Sequence, residues 1–282
     1  MSNNVSTNEL RATWESAAPG WAKWESEFTR NLVDATGTLF DHVNMTTSMR
    51  VLDLACGAGS QTLMAARRVG EGGSVVACDI SDEMLRHTRK NADRAGLSNI
   101  ETRRSAAEDL SGEGGQFDAA YSRLGLMLFA APKTALAALH GVLKPGGRFA
   151  ALVFSTPDRN PYQAEPMKIL LRHAGAPPPR PGQPGIFALG GPGVLEALLR
   201  ESGFADIELA TVRAPFQVAS VDDALAFMQQ AAGAYRAVIA DLSEAGKAAA
   251  WAEVRDGLEK FKTASGFEVE MEFIIGSGVV PV

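Results

Sequence analysis

The stretch Val51-Leu52-Asp53-Leu54-Ala55-Cys56-Gly57-Ala58-Gly59 decides the fold. Arg50 to Leu54 is short, apolar and followed by glycines, so it reads as a buried strand. Gln61 to Val69 reads as a helix that Gly70 stops. The strand therefore feeds a tight turn that opens a helix. Gly57 and Gly59 lack a Cβ, which lets the backbone turn sharply and lets a ligand approach it. The helix N-terminus presents unpaired N–H groups and a positive dipole end, suited to an anionic group.

The same alternation continues outward. Ser74 to Cys78 is a second strand, and Ser81, with Asp82 and Glu83 behind it, caps a helix that runs to about Ala95 and ends at Gly96. Ile100 to Arg104 is a third strand and Phe117 to Tyr121 a fourth. Lys133 to Leu143 is a helix ended by Pro145-Gly146-Gly147, and Arg148 to Phe154 is a fifth strand. Repeated βα units imply a parallel sheet covered by helices on both faces. Ligands then bind beyond the C-terminal strand ends.

The glycine turn alone does not name its ligand. A nicotinamide fingerprint needs a third glycine where Thr62 stands, and a Walker loop needs a G-K-[ST] ending that is missing. Asp79 closes the second strand twenty residues after Gly59. An acid there accepts hydrogen bonds from ribose hydroxyls. The pattern asks for an adenosine-like ligand with an anionic end.

These segments resemble, in order and spacing, the class I S-adenosylmethionine (SAM)-dependent methyltransferases. Asp53 to Gly59 looks like their motif I, and Asp79 matches the acid after their second strand. Ala106-Ala107-Glu108-Asp109-Leu110 resembles the adenine-side loop. Phe117-Asp118 with Ser122-Arg123-Leu124-Gly125 resembles motif IV, and Leu143 to Arg148 the turn before the fifth strand. The resemblance covers about residues 50–155 and is strongest to the UbiE-like small-molecule methyltransferases, which the tryptophans of the leader also resemble. One departure is Ala106, where many members carry an acid.

The resemblance implies a Rossmann-like α/β fold: a seven-stranded, mostly parallel sheet with helices on both faces and a helical cap. It implies that SAM, leaving as S-adenosylhomocysteine, is held by Asp53, Ala55, Gly57, Gly59, Asp79, Ile80, Met84, Ala107, Glu108, Ser122, Leu124 and Trp21. Asp53 and the Gly57–Gly59 backbone would face the methionine end, with Asp79 at the ribose and Ile80 and Met84 beside the adenine. Acceptor-side candidates are Trp14, Trp24, Leu126, Phe129, Tyr162, Phe187 and Tyr235. The chemistry needs no obligate catalytic side chain; Tyr162 and His173 are the base candidates. The implied reaction is methyl transfer to an O, C or N atom of a hydrophobic or aromatic small molecule, in secondary-metabolite or quinone-type biosynthesis. A non-catalytic SAM-binding scaffold and a nicotinamide oxidoreductase are the alternatives.

The rest of the chain supplies the cap. Residues 11–43 read as helical with a break at Pro19-Gly20; Trp21, Trp24, Phe28 and Leu32 share one face. Residues 1–43 are expected to form a lid on a methyltransferase domain of residues 44–282, with cap insertions at 157–192 and 221–263. The first insertion holds one helix, Tyr162 to His173, then a proline-rich irregular run including Pro179 and Pro181. Asp206 to Val218 and Phe267 to Ile275 are the last strand pair, Phe267, Val269, Met271 and Phe273 alternating with glutamates.

Composition narrows the class. The 282 residues are 46% apolar and 21% charged, with net charge −6. An acidic balance argues against nucleic-acid binding by bulk electrostatics. Cys56 and Cys78 are too few for a disulfide scaffold or a zinc site and read as small buried residues, and no metal site is expected. No apolar run is long enough to span a membrane, and Met1-Ser2-Asn3-Asn4 does not look like a signal peptide. A cytoplasmic protein with a small-molecule partner is expected, and a homo-oligomer is left open. Arg123 reads either as an ion-pair partner or as a positioning residue.

Overall fold

Apolar runs separated by glycine and capping signals become, in the computed structural model, the strands of one sheet; residues 7–111, 115–178 and 183–282 are described. Strands β1 (Arg50–Leu54), β2 (Ser74–Asp79), β3 (Ile100–Arg104), β4 (Phe117–Arg123) and β5 (Leu143–Phe154) run parallel. β8 (Gly266–Val279) inserts antiparallel between β5 and β6 (Ala205–Val218). The order is β3-β2-β1-β4-β5-β8-β6, and a two-residue β7 (Lys262–Thr263) pairs with β8 off this path. The expected seven-strand sheet is present, with its crossover point between β1 and β4.

Nine helices are described: α1 (Thr7–His42), α2 (Ser60–Val69), α3 (Asp82–Arg94), α4 (Pro132–Val142), α5 (Pro161–Ala174), α6 (Val194–Glu201), α7 (Val221–Ala231), α8 (Gly233–Val238) and α9 (Glu244–Leu258). They cover both faces. Phe40 of α1 packs edge-on against Tyr121 of β4 at 4.9 Å. Phe204, after α6, packs at 5.8 Å on Phe149, which pairs with Ala120, the residue before Tyr121 in β4, and so lies on the opposite face. Ser81 caps α3 as expected, its hydroxyl accepting from the Met84 N–H at 3.1 Å.

Two expectations need correction. The break at Pro19-Gly20 is absent, and α1 runs through it from Thr7. Pro19 removes one helical hydrogen bond, but packing on both sides outweighs that loss. Ala17 and Ala18 are fully buried before it, and Trp24, Phe28, Leu32 and Leu39 after it. A Cβ on Gly20 would meet the Gln230 carbonyl oxygen at 2.1 Å, so glycine here lets α1 lie directly on the end of α7. The second correction concerns Pro145-Gly146-Gly147, which is part of β5. The register shifts from Phe117↔Leu143 to Ala119↔Arg148, so the glycines form an irregularity inside the strand.

The 221–263 stretch breaks at Ser243, the N-cap of α9, and also at Ala232, between α7 and α8. In the proline-rich run, Pro179 and Pro181 lie outside the described residues. The part that resumes at Gln183 docks on the sheet's C-terminal edge, where the Gly185 N–H donates to the Met127 carbonyl at 3.0 Å.

Candidate functional site

The turn after β1 is built from backbone that side chains normally avoid. Ala55, Gly57 and Gly59 have φ of 58°, 58° and 96°. A Cβ on Gly57 would meet nothing within 4 Å, so this glycine faces open space. Gly59 differs: a Cβ there would sit 2.8 Å from the Thr88 side chain. Its job is to let α2 pack on α3.

Asp79 ends β2 directly beside this turn. Its Oδ2 accepts the Gly57 N–H and its Oδ1 the Ser81 N–H, both at 2.9 Å. One carboxylate therefore fixes the glycine turn and the start of α3 together. The Ile80 N–H also bonds this carboxylate; with about four lone-pair positions in all, acceptor capacity is left for a ligand hydroxyl. Burial raises the Asp79 carboxyl above its ordinary value, against the pull of those N–H groups.

Asp53 lies beneath the turn, with no exposure. Its Oδ2 accepts the Thr62 hydroxyl at 2.6 Å and its Oδ1 the Gln61 amide at 3.4 Å. Burial pushes its carboxyl up to about 7, opposed by Thr62, Gln61 and the charge of Arg123. Arg123, at the end of β4, is buried too. Its guanidinium donates to Thr36 of α1 at 3.0 Å and, in α2, to Ser60 at 2.7 Å and Gln61 at 2.6 Å. Desolvation lowers it to about 10. The pair ties β1, β4, α1 and α2 together through Gln61 and supplies rigidity under the turn.

The far wall comes from β4. Leu124 follows the strand with φ of 61°. A Cβ on Gly125 would lie 2.5 Å from that of Ala55, so the two strand ends touch. The Ser122 hydroxyl is buried with no hydrogen-bond partner among the described residues. Leu126 and Phe129 continue in a short turn, Leu126 buried and Phe129 partly so. On the other side, Ile80 is half-buried and Met84 buried at the start of α3. Ala107 is buried, whereas Glu108 turns away and accepts the Ala131 N–H before α4 at 3.2 Å.

α1 crosses above. Trp24 is anchored, its indole N–H donating to Gln230 of α7 at 3.0 Å. Trp21 packs edge-on against Phe28 at 5.0 Å and Phe227 at 5.7 Å, and its buried indole N–H has no partner among the described residues. Trp14 is partly buried. Two acids of α1 that the sequence reading passed over also arrive here. Glu15 accepts the Asp82 and Glu83 N–H groups at 2.8 and 3.2 Å, capping α3 from outside. Glu25 accepts from Asn91 of α3 and from the Ser60 N–H. No local pattern marks them, because their partners lie 35 to 68 residues away.

The cap residues are otherwise committed. The Tyr162 hydroxyl donates to the Ala224 carbonyl at 2.9 Å and that of Tyr235 to the Gln163 carbonyl at 3.0 Å; both are buried. Burial raises the Tyr162 phenol well above its ordinary value. His173 pairs with Glu253 of α9 at 2.8 Å. Neither base candidate presents a free basic group to the turn. Phe187 packs on Phe154 at 6.2 Å, near the strand ends.

A strand-end turn with an acid on the next strand is the arrangement that one family model matches over residues 51–147. The description of that model is a methyltransferase domain. A ubiquinone/menaquinone biosynthesis C-methyltransferase UbiE of Teredinibacter turnerae is 41% identical over 112 residues, 39% of this chain and 45% of that protein. The chain spans about half the length of the curated relatives it matches. Among solved structures, the [4+2]-cyclase SpnF aligns with a TM-score of 0.63 over 98% of this chain and 97% of that one, at 20% identity. Haemonchus contortus phosphoethanolamine N-methyltransferase 2, solved with S-adenosyl-L-methionine, aligns at 0.60 over 99% of this chain and 60% of that one, at 17% identity. At such identities these two show the fold alone: a mostly parallel, Rossmann-like sheet with helices on both faces. No helix among the described residues is long and apolar enough to cross a membrane.

Proposed function

We propose that this chain transfers a methyl group from SAM to an O, C or N atom of a hydrophobic or aromatic small molecule. The observation that carries the reading is the Asp79 carboxylate. It bridges the Gly57 and Ser81 N–H groups, beside a glycine that faces open space, with acceptor capacity left for a ribose hydroxyl. The buried, unpartnered Trp21 N–H and Ser122 hydroxyl fit the same ligand, which would give them acceptors. The matched domain family and the UbiE relatives support the chemistry.

SAM supplies an activated methyl on a sulfonium, so the protein's share is binding, alignment and exclusion of water. Asp79 holds the ribose, with Ile80 and Met84 beside the base. Gly57 leaves room, and the close approach of Ala55 and Gly125 shapes the floor. α1, with α5, α7 and α8, forms the lid and cap of residues 1–43, 157–192 and 221–263 over the strand ends. Leu126, Phe129 and Phe187 offer the acceptor an apolar surface. With Tyr162 and His173 committed to the frame, alignment carries the rate, and a proton lost by the acceptor leaves through solvent or the acceptor's own ionisation.

The nicotinamide alternative loses ground at Thr62, whose hydroxyl is spent on Asp53 where that fingerprint needs glycine. The acidic net charge and the two buried, free cysteines support a cytoplasmic enzyme of small molecules rather than nucleic acid.

The test is calorimetric titration of the purified chain with SAM, with NADH as control, followed by assay for S-adenosylhomocysteine with quinone-like and phenolic acceptors. Binding of SAM alone with turnover is expected. Binding with no turnover of any acceptor favours the scaffold reading. A folded protein that binds no SAM overturns both.

A further inference from the structure

Asp53, the acid that the motif offers to the charged end of the ligand, is sealed below the turn by Thr62 and Gln61. Glu25 stands on the opposite, upper side. It reaches from α1 to the N-terminus of α2, where the Ser60 N–H donates to it. Asn91 of α3 donates to its Oε2 at 2.5 Å and also holds the Ala58 carbonyl at 3.0 Å, so Glu25 is tied to the glycine turn itself. The charged group facing it is Arg123 of β4. That guanidinium is hydrogen-bonded to Thr36, Ser60 and Gln61 and makes no ion pair with Glu25 among the described residues. Glu25 is thus a half-buried carboxylate with hydrogen-bond donors but no cation in contact. Burial pushes its carboxyl up to about 7, against Asn91, Arg123 and Ser60.

One helical turn earlier on the same face stands Trp21, with its buried, unpartnered indole N–H. A carboxylate lacking a cation and a donor lacking an acceptor, four residues apart, are complementary to a zwitterion. An α-amino acid carries an ammonium and a carboxylate on one carbon, which can face the two groups together. We propose that Glu25 receives the ammonium group of the methionine end of SAM while the Trp21 N–H donates to its carboxylate. This assignment rests on the methyltransferase reading above and deepens it. It gives recognition of the amino-acid end to α1, while Asp79 holds the nucleoside end.

The experiment compares two ligands on the full chain by calorimetry. SAM carries the amino acid; 5′-methylthioadenosine keeps the nucleoside and the sulfur but lacks it. Glu25→Gln preserves shape and the Asn91 contact while removing charge. It is expected to weaken SAM by about tenfold or more, the scale of a hydrogen bond to a charged group, and to leave methylthioadenosine unchanged. Trp21→Phe should give a smaller loss, again confined to SAM. Glu25→Asp keeps the charge and should fall between wild type and Glu25→Gln. Thermal melting of each variant confirms that it is folded. Equal losses for both ligands, or no loss, overturn the assignment alone. Tighter SAM binding by Glu25→Gln also overturns it, because Glu25 would then be blocking the α2 N-terminus. A wild-type protein that binds neither ligand overturns the methyltransferase reading and this assignment with it.

Discussion

Ala55 and Leu124 stand at the C-terminal ends of the neighbouring strands β1 and β4, and both adopt left-handed backbone, with φ of 58° and 61°. Such a conformation costs a non-glycine residue roughly 1–2 kcal/mol. Two adjacent strand ends carry that cost at the crossover point of the sheet, where ligands of this architecture bind. Strain held at a site is paid for by the packing around it.

The contact between these strand ends is tight enough to test. A Cβ on Gly125 would lie 2.5 Å from that of Ala55 and 2.8 Å from the Ser122 oxygen. Gly125→Ala is expected to destabilise the fold by about 1–3 kcal/mol, the range for overpacking. Adding Ala55→Gly should return part of that loss, because one of the two clashing atoms is gone. Denaturant titration of the two single variants and the double variant measures the coupling.

Asp79→Ala should weaken SAM binding by roughly 1–3 kcal/mol and lower the melting temperature as well, since the Gly57 and Ser81 N–H groups lose their acceptor. Asp79→Asn keeps one acceptor oxygen and should fall between. Calorimetry and melting on the same samples check both effects. SAM affinity that does not move removes Asp79 from the ribose site.

Asp53 makes stability depend on pH in a defined direction. Its folded carboxyl is pushed up to about 7 from an ordinary 3.8. The folded state therefore holds a proton that the unfolded state has released, and the stabilisation present below about pH 4 is lost as the pH rises through 7. The melting temperature should fall between pH 5 and 8. Asp53→Asn should flatten that part of the slope. Glu25, also raised to about 7, contributes in the same sense, so the flattening is partial.

Tyr162→Phe removes a buried hydroxyl and its bond to the Ala224 carbonyl. About 1 kcal/mol of stability should be lost, with kcat retained once the acceptor is known. A large drop in kcat at full SAM affinity would return this phenol to the chemistry.

The sheet was legible because each strand from β1 to β4 is bounded by its own local signals: Gly57 and Gly59, Ser81, Gly96, then Phe117 after a polar run. The turn and Asp79 could be placed side by side for the same reason, since they belong to short segments at fixed spacing. The break expected at Pro19 fails because a local signal competes with long-range packing that no window of sequence contains: Gly20 against Gln230, and Trp24 against the same residue. Glu15, Glu25 and Arg123 were illegible or ambiguous for that reason too. Asp53 shows the opposite limit of a local pattern. A motif names the residue, but only its surroundings say that it faces inward, toward Thr62.

α1 runs unbroken for 36 residues, about 54 Å at 1.5 Å per residue. At its C-terminal end His42 is bonded to Ser277 of β8 and to Arg148 of β5; near its N-terminal end Glu15 grips α3. The helix is therefore a beam fixed at both ends across the sheet. A ligand that lifts one end must either rock the other support or bend the beam. The cheapest place to bend is beside Glu15 itself, where the Pro19 ring has already removed one of the rungs that make a helix stiff.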